Sequence, residues 1–192
     1  MKLFIIGQSR SGKTTLAKHI AHTCHLRHIS ASNWVKQVWH LSEQDFPSRE
    51  AYIQAITDYS LEYLRKSPHA CVDYIRQQLQ QPLTSPQFCT IIDGIRNPYD
   101  FVNLFDQQRD RCLHLVYLSN PIATNNFEQG LTVIQAYLDW LLTNHLIQPH
   151  QATNLTFQTF DRADYNTALA SFLQGIPEPV DKNSCVGCVS AA

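Results

Sequence analysis

The chain has 192 residues, of which 44% are hydrophobic and 16% are charged, which is typical of a folded domain and not of a disordered chain. The formal net charge of −1 provides no overall positive field, which argues against nucleic acid or an acidic membrane as the partner. The six cysteines lack the pattern of a disulfide scaffold, and no apolar stretch has the length of a secretion signal or of a membrane span. We therefore expect a cytoplasmic protein; its oligomeric state is not readable from the sequence.

The first predicted elements are a strand and a helix joined by a glycine-containing loop. Residues 2–6 (KLFII) form a short apolar run that ends at Gly7, which predicts a buried parallel strand. From Gly12 onward the apolar residues recur on one face, as in Leu16 and Ile20, which predicts a helix.

The next segment predicts a strand followed by three helices. Residues 26–29 (LRHI) form a second short run that predicts a strand, and the small residues at 30–33 (SASN) can cap a helix that contains Trp34. Pro47 and Ser48 begin another helix. Ser67 and Pro68, as N-cap and first helical residue, begin a third one that continues to about Gln80.

The second half of the chain alternates strands with a helix. Strands are predicted at 88–93, at 113–118 and, more weakly, at 155–160, and a helix at 126 to about 146. Strands separated by helices indicate an α/β protein of three layers, in which a parallel sheet of about five strands has helices on both faces. We predict one domain at 1–175, whose last strand and helix lie within 150–175, and a flexible tail at 176–192.

A phosphate-binding motif occupies the loop after the first strand. Residues 7–14 (GQSRSGKT) match the pattern G-x-x-x-x-G-K-[ST], and the residue frequencies of this chain make a chance match about one in a thousand. Glycines let backbone N–H groups surround a phosphate, the lysine reaches the β and γ oxygens, and the threonine hydroxyl binds Mg²⁺. The motif predicts ATP and Mg²⁺ as cofactors. The residues expected at the nucleotide are Gly7, Ser9, Arg10, Ser11, Gly12, Lys13, Thr14 and Thr15.

A carboxylate and an arginine follow the strand predicted at 88–93. Mg²⁺ prefers hard oxygen ligands at the carboxyl edge of a sheet, so we predict Asp93 and Thr14 as its ligands, directly or through water. The alternative is that Asp93 only caps a turn. Arg96 could bind a phosphate with two hydrogen bonds, or else pair with Asp100. The predicted catalytic residues are Lys13, Asp93 and Arg96.

Four segments within residues 1–120 resemble the nucleoside monophosphate kinases, a P-loop group that includes adenylate kinases, deoxynucleoside monophosphate kinases and dephospho-coenzyme A kinases. They are the phosphate loop, residues 29–36 (ISASNWVK), residues 48–50 with 63–66 (SRE, YLRK) and residues 92–100 (IDGIRNPYD). The chain lacks the Asn-Lys-x-Asp element of guanine-specific switches, so a small-molecule kinase fits better.

The resemblance implies a P-loop NTPase fold and transfer of the γ-phosphate of ATP to a nucleoside monophosphate or a similar phosphorylated small molecule. It also implies an acceptor-binding helical part at about 31–82. Within the matched motifs Lys36 takes the place of an arginine and Asn33 that of an aspartate. The implied acceptor-binding residues are Asn33, Lys36, Arg49 and Arg96. For Lys36 and Arg49, a solvated helix face is the alternative.

The chain departs from that family after the fourth strand, where the family closes a lid that carries arginines. No Lys or Arg occurs between Cys112 and Asp161, and residues 119–142 are typical of a polar loop followed by a packing helix. Developing negative charge on the transferred phosphoryl group requires positive charge around it. A nucleotide-binding regulatory protein without turnover is therefore the second hypothesis, and a nucleic-acid-stimulated ATPase is a third that the neutral charge disfavours.

Three other groups of residues have a simpler explanation than a binding site. The histidines and Cys24 near the end of the first helix could bind a metal, but the helix dipole alone favours histidine there. Cys185 and Cys188 form a lone C-x-x-C in the predicted tail. The aromatic residues that could stack on a base have the spacing of core residues; they are Trp34, Trp39, Tyr52 and Tyr59.

Overall fold

The computed structural model describes residues 1–8, 11–81, 89–117 and 126–157. No helix in these ranges is long and apolar enough to cross a membrane. The predicted tail, the predicted last helix and the loop residues Ser9 and Arg10 lie outside the described residues. The elements are β1 (Lys2–Gly7), α1 (Lys13–Thr23), β2 (Arg27–Ser30), α2 (Asn33–Val38), α3 (Arg49–Lys66), α4 (Ala70–Gln80), β3 (Thr90–Asp93), α5 (Pro98–Leu104), β4 (Arg111–Tyr117), α6 (Asn126–Thr143) and β5 (Ala152–Phe157).

The five strands form one parallel sheet in the order β2-β3-β1-β4-β5. The strand β1 lies at the centre, with Ile5 opposite Asp93 of β3 and Gly7 opposite Leu115 of β4. After β1 the chain builds the sheet on one side, and after β3 it crosses to the other side. In parallel sheets such a reversal leaves a crevice at the carboxyl ends of the strands, where ligands bind.

Helices cover both faces of the sheet, which confirms the predicted three-layer α/β P-loop fold. Leu3 and Ile5 of β1 pack in one core cluster with Leu16 and Ile20 of α1. Phe4 and Ile6 of β1 belong to the opposite cluster, which contains apolar residues of α2, α4, α5 and α6. Because both faces of β1 are buried, the strand is apolar along its length and does not alternate with polar residues.

The helix starts follow the predicted chemistry in part. The Ser48 hydroxyl accepts a hydrogen bond from the Ala51 N–H at 3.1 Å and caps α3, which begins at Arg49, directly after the predicted start at Pro47 and Ser48. The helix α4 begins at Ala70 and not directly after Ser67, because the Ser67 carbonyl accepts from the Ala70 N–H and closes a separate turn first. The helix α5, which the sequence analysis did not name, is capped by Asn97.

The last described strand begins earlier than predicted. The strand β5 starts at Ala152 instead of Leu155, because it pairs with β4 along its whole length, with Ala152 opposite Cys112. The Gln151 amide donates to the Asp110 carbonyl at 3.1 Å and fixes the chain just before the strand. Pairing with a neighbour therefore extends a segment whose own composition is only weakly strand-like.

Candidate functional site

The phosphate loop joins the carboxyl end of β1 to the start of α1. A Cβ atom on Gly7 would lie 2.9 Å from the Leu115 carbonyl oxygen and 2.8 Å from the Ser11 Oγ, so only glycine fits between the loop and β4. Gly12, at φ 76°, occupies the left-handed region and precedes α1 without a side-chain cap. The first amides of α1 are therefore not satisfied by a capping side chain, which is the arrangement that binds an anion.

The Lys13 side chain closes the loop from inside. Its Nζ donates to the Gln8 carbonyl oxygen at 2.8 Å, and the same oxygen accepts from the Ser11 N–H at 3.3 Å. The Ser11 Oγ is buried and has no hydrogen-bond partner in the described part of the chain. A buried hydroxyl without a partner costs free energy, and a phosphate oxygen in the loop would accept its hydrogen bond. The loop thus fits a bound triphosphate.

Asp93 lies next to this loop at the end of β3, and its side chain is fully buried. The Thr14 hydroxyl donates to its Oδ2, and the His28 Nε2 lies 2.9 Å from its Oδ1. Burial alone raises the pKa of Asp93, but the hydrogen bonds from His28 and Thr14 outweigh burial and hold that pKa below its usual range. An ionised carboxylate beside a hydroxyl is a fitting pair of oxygen ligands for Mg²⁺.

His28 is the site residue that the sequence analysis missed. The sequence places it in a possible metal group with His22, Cys24 and His25, whereas its imidazole contacts Asp93 in the structure. Across residues 1–8, 11–81, 89–117 and 126–157 no three His, Cys, Asp or Glu side chains are grouped so as to hold a metal ion. The contact between His28 and Asp93 follows from the parallel pairing of β2 with β3, and it can be inferred only when the register of these two strands is known.

Lys36 brings a positive charge towards Asp93 from α2. Its Nζ donates to the Asn33 Oδ1 at 3.3 Å. Burial lowers the pKa of Lys36, the negative charge of Asp93 raises it in part, and the positive charge of Lys18 lowers it further. The structure therefore brings Lys36 within electrostatic reach of Asp93, on the side of the site opposite β4.

A groove of about 770 Å³ lies between α2, the end of α3 and the start of α4. Its volume is within the range of ligand-binding pockets. Trp34, Tyr63 and Tyr74 provide aromatic walls, and Lys66 and His69 are also in its lining. A hydrogen bond joins Tyr74 to the Asn33 side chain, which in turn contacts Lys36. The groove thus shares the helix α2 with Lys36, which interacts electrostatically with Asp93.

Of the aromatic residues predicted to be in the core, Trp34 is buried and Trp39 is exposed. Trp34 is 5% exposed and packs against Tyr63 with ring centroids 5.5 Å apart, so it is a core residue. Trp39 is 38% exposed and stacks on Tyr59 at 4.6 Å, at the outer side of α2 and α3.

The remaining predicted site residues lie around this centre. Thr15 is exposed in the first turn of α1, and Arg49 is exposed at the first turn of α3. Arg96 is partly buried in the loop between β3 and α5, and its carbonyl lies against Gly130 of α6. The roles assigned to Thr15, Arg49 and Arg96 remain predictions, as do those of Ser9 and Arg10.

The helix α6 is a packing helix, as predicted from the sequence of this segment. It buries Leu131, Ile134, Leu138 and Leu141 in the core cluster that also contains Phe4. The segment between Cys112 and Asp161 carries no Lys or Arg. The described part of this segment therefore contributes apolar packing to the sheet and no cationic side chain.

No family model and no curated protein sequence matches this chain. Among solved structures it is similar to shikimate kinase from Bacteroides thetaiotaomicron, with 13% identity and a TM-score of 0.43 over 91% of this chain and 96% of that chain. It is also similar to shikimate kinase from Acinetobacter baumannii in complex with shikimate (14% identity, TM-score 0.45, 90% of each chain). Shikimate kinase from Aquifex aeolicus gives 14% identity and a TM-score of 0.45 over 91% of this chain and 97% of that chain.

Proposed function

We propose that this chain is a Mg²⁺-dependent phosphotransferase that binds ATP and transfers its γ-phosphate to a small phosphorylated acceptor such as a nucleoside monophosphate. The observation that carries the proposal is the hydrogen bond from Thr14 to the buried carboxylate of Asp93. This hydrogen bond lies directly beside the phosphate loop, where Lys13 donates to the Gln8 carbonyl. Lys13 and Thr14 in the first turn of α1, together with Asp93 at the end of β3, supply the cation and the oxygen ligands that a metal–triphosphate needs.

Positioning and charge neutralisation account for catalysis in this proposal, and no covalent intermediate is formed. The first amides of α1, the Ser11 hydroxyl and the Lys13 ammonium bind the phosphates. Thr14 and Asp93 would hold Mg²⁺, which would supply positive charge against the phosphates. Because Lys13 contacts the Gln8 carbonyl, nucleotide binding exchanges that contact for phosphate oxygens.

The acceptor is proposed to lie along α2, with its phosphate towards Lys36 and its body in the groove beside Tyr74. The support is the chain of contacts from Lys36 through Asn33 to Tyr74. Arg49 and Arg96 are further proposed cations for the acceptor phosphate. The helical part at about 31–82 is then the substrate-binding part of a single cytoplasmic domain.

A nucleotide-binding regulatory protein without turnover is the second candidate. The observation that favours it is the lack of any Lys or Arg between Cys112 and Asp161, where a kinase lid would supply arginines. Loss of such an arginine lowers turnover by a factor of about 10³ or more. Binding of ATP is common to both candidates, and only turnover distinguishes them.

The test is ATP consumption with Mg²⁺ across ribo- and deoxynucleoside monophosphates, dephospho-coenzyme A and shikimate. Shikimate, which one of the matched kinases binds, serves as an acceptor without a phosphate group. Lys13→Ala removes the loop cation, and Arg109→Ala is the matched loss of an exposed positive charge before β4.

Turnover with one phosphorylated acceptor, lost in Lys13→Ala and kept in Arg109→Ala, would support the kinase and identify its acceptor. ATP binding that Lys13→Ala weakens, with no turnover on any acceptor, would support the regulatory protein. Failure to bind ATP at all would contradict both. An arm with added DNA or RNA is expected to leave ATP hydrolysis unchanged.

A further inference from the structure

The contact between His28 and Asp93 follows from the pairing of β2 with β3. In the parallel register His28 lies opposite Ile91 and Ser30 lies opposite Asp93. Side chains alternate along a strand, so His28 and Ser30 lie on the same face of the sheet as Ile91 and Asp93. Ile91 belongs to the core cluster under α1, which means that His28 reaches Asp93 on the face where Thr14 lies in the first turn of α1.

Each oxygen of the Asp93 carboxylate has its own hydrogen-bond donor. The His28 Nε2 is 2.9 Å from Oδ1, and the Thr14 hydroxyl donates to Oδ2. The His28 side chain is 16% exposed and that of Asp93 is fully buried, so water competes little for this hydrogen bond. Since the carboxylate is an acceptor, the His28 nitrogen carries the proton in this contact.

The backbone of Asp93 is also fixed. Its carbonyl oxygen accepts from the Ala31 N–H at 2.8 Å, and Ser30, its partner in the register, precedes Ala31 directly. The segment His28–Ala31 therefore holds both the backbone and one side-chain oxygen of Asp93. The hydrogen bond from His28, with a smaller contribution from the Ser30 side chain, therefore holds the carboxylate while its other oxygen accepts from Thr14.

We propose that His28 is a positioning residue for the metal–nucleotide site, which holds one oxygen of Asp93 so that the other stays at the Thr14 hydroxyl. The inference rests on the proposed binding of ATP with Mg²⁺. His28 acts through Asp93 and does not itself contact nucleotide or metal. Groups that orient metal-binding side chains affect metal affinity by about 10- to 100-fold when they are removed.

The test measures the dissociation constant of ATP by calorimetry, once with Mg²⁺ and once with EDTA at equal ionic strength. His28→Leu removes the donor at similar volume. His28→Gln keeps an amide N–H at about the reach of Nε2, while His28→Asn is shorter by one methylene. The matched control is His114→Leu, which removes another strand histidine, hydrogen-bonded at 2.8 Å to Gln135 and lying on β4.

We expect His28→Leu and His28→Asn to weaken ATP binding about tenfold with Mg²⁺ and less than about twofold in EDTA. We expect His28→Gln to stay near the wild type in both conditions. His114→Leu is expected to leave the response to Mg²⁺ unchanged. Thermal unfolding of each variant accompanies the titrations, and if His28→Leu does not fold, the comparison of His28→Gln with His28→Asn decides.

Equal weakening with and without Mg²⁺, or equal behaviour of His28→Gln and His28→Asn, would overturn the inference, because His28 would then only support the fold. A wild-type protein whose ATP affinity does not respond to Mg²⁺ would overturn both the inference and the proposed metal site. A wild-type response to Mg²⁺ that survives in every His28 variant would remove only the role of His28.

Discussion

Asp100 is a buried carboxyl group in the first turn of α5, with few polar neighbours. Its side chain is 4% exposed, and its Oδ1 has no hydrogen-bond partner among the residues the structure describes. Burial raises the pKa of Asp100 to about 6, and the hydrogen bond from the Cys71 thiol opposes this only in part. A group with such a pKa changes its charge within the range of ordinary buffers.

The stability of the protein is therefore expected to depend on Asp100 between pH 4 and pH 8. The folded state binds this proton more tightly than the unfolded state, whose aspartate pKa is about 3.9. The contribution to the free energy of unfolding is full below that value and is lost as the pH rises through about 6. Asp100→Asn should hence be about 2 kcal/mol more favourable at pH 8 than at pH 4, measured by urea unfolding.

Asp58→Asn, on the exposed face of α3, is the control and should have the same small effect at both pH values. An effect of Asp100→Asn that does not differ between pH 4 and pH 8 would mean that the carboxyl group has a partner when it is ionised.

At the residue scale, the sequence predicts those residues of the candidate site that belong to short local patterns. Lys13 and Thr14 follow from a motif of eight residues, and Asp93 from an apolar run that ends in a carboxylate. His28 could not be predicted in the same way, because it lies 65 residues before its partner and depends on the register of β2 against β3. Composition gives the strands but not that register.

At the scale of elements, the packing of α6 on the loop after β3 depends on one glycine. A Cβ atom on Gly130 would lie 2.1 Å from the Arg96 carbonyl oxygen and 3.3 Å from the Pro98 Cδ. Such a distance to a backbone atom requires the helix or the loop to move. The loop connects Asp93 to α5, so α6 contacts the candidate site through Gly130.

Gly130→Ala should destabilise the protein, although alanine in a helix is ordinarily more favourable than glycine by about 1 kcal/mol. The added methyl group must displace backbone in a packed interface, which costs about 1–3 kcal/mol. The measurement is the free energy of unfolding in urea. Gln129→Ala, the exposed neighbour in α6, should change it by less than about 0.5 kcal/mol. A gain of stability in Gly130→Ala would show that α6 does not pack closely on this loop.

The helix α5 shows why some elements escaped sequence reasoning. It has only seven residues, from Pro98 to Leu104, and its capping residue Asn97 lies inside a segment interpreted as a phosphate-site motif. The earlier start of β5 likewise reflects its neighbour β4. Short elements depend on tertiary packing more than on their own periodicity.

At the scale of the molecule, the order of the strands separates the charged half of the site from the apolar half. On one side of β1 lie β3, β2 and α2, which bring Asp93, His28 and Lys36 to the carboxyl edge of the sheet. On the other side lie β4 and β5, which carry no Lys or Arg after Arg111, the first residue of β4. Positive charge for a transferred phosphoryl group must therefore come from the loop, from α1 and from α2, or from residues outside 113–160.

Because of this distribution, we expect the loss of Lys36 to weaken the binding of an acceptor phosphate more than the loss of any other cation in the described residues. A hydrogen bond to a charged group is worth about 1.5–3 kcal/mol, so Lys36→Gln should lower kcat/KM for the phosphorylated acceptor about tenfold or more. The ATP dissociation constant should change less than about twofold, because Lys13 and α1 bind the triphosphate. Arg109→Gln removes the same charge just before β4, at the amino ends of the strands and away from the carboxyl edge where the site lies. This variant should change neither value. If Lys36→Gln weakens ATP and acceptor equally, the charge on α2 serves the nucleotide site as a whole, and the acceptor phosphate must bind elsewhere.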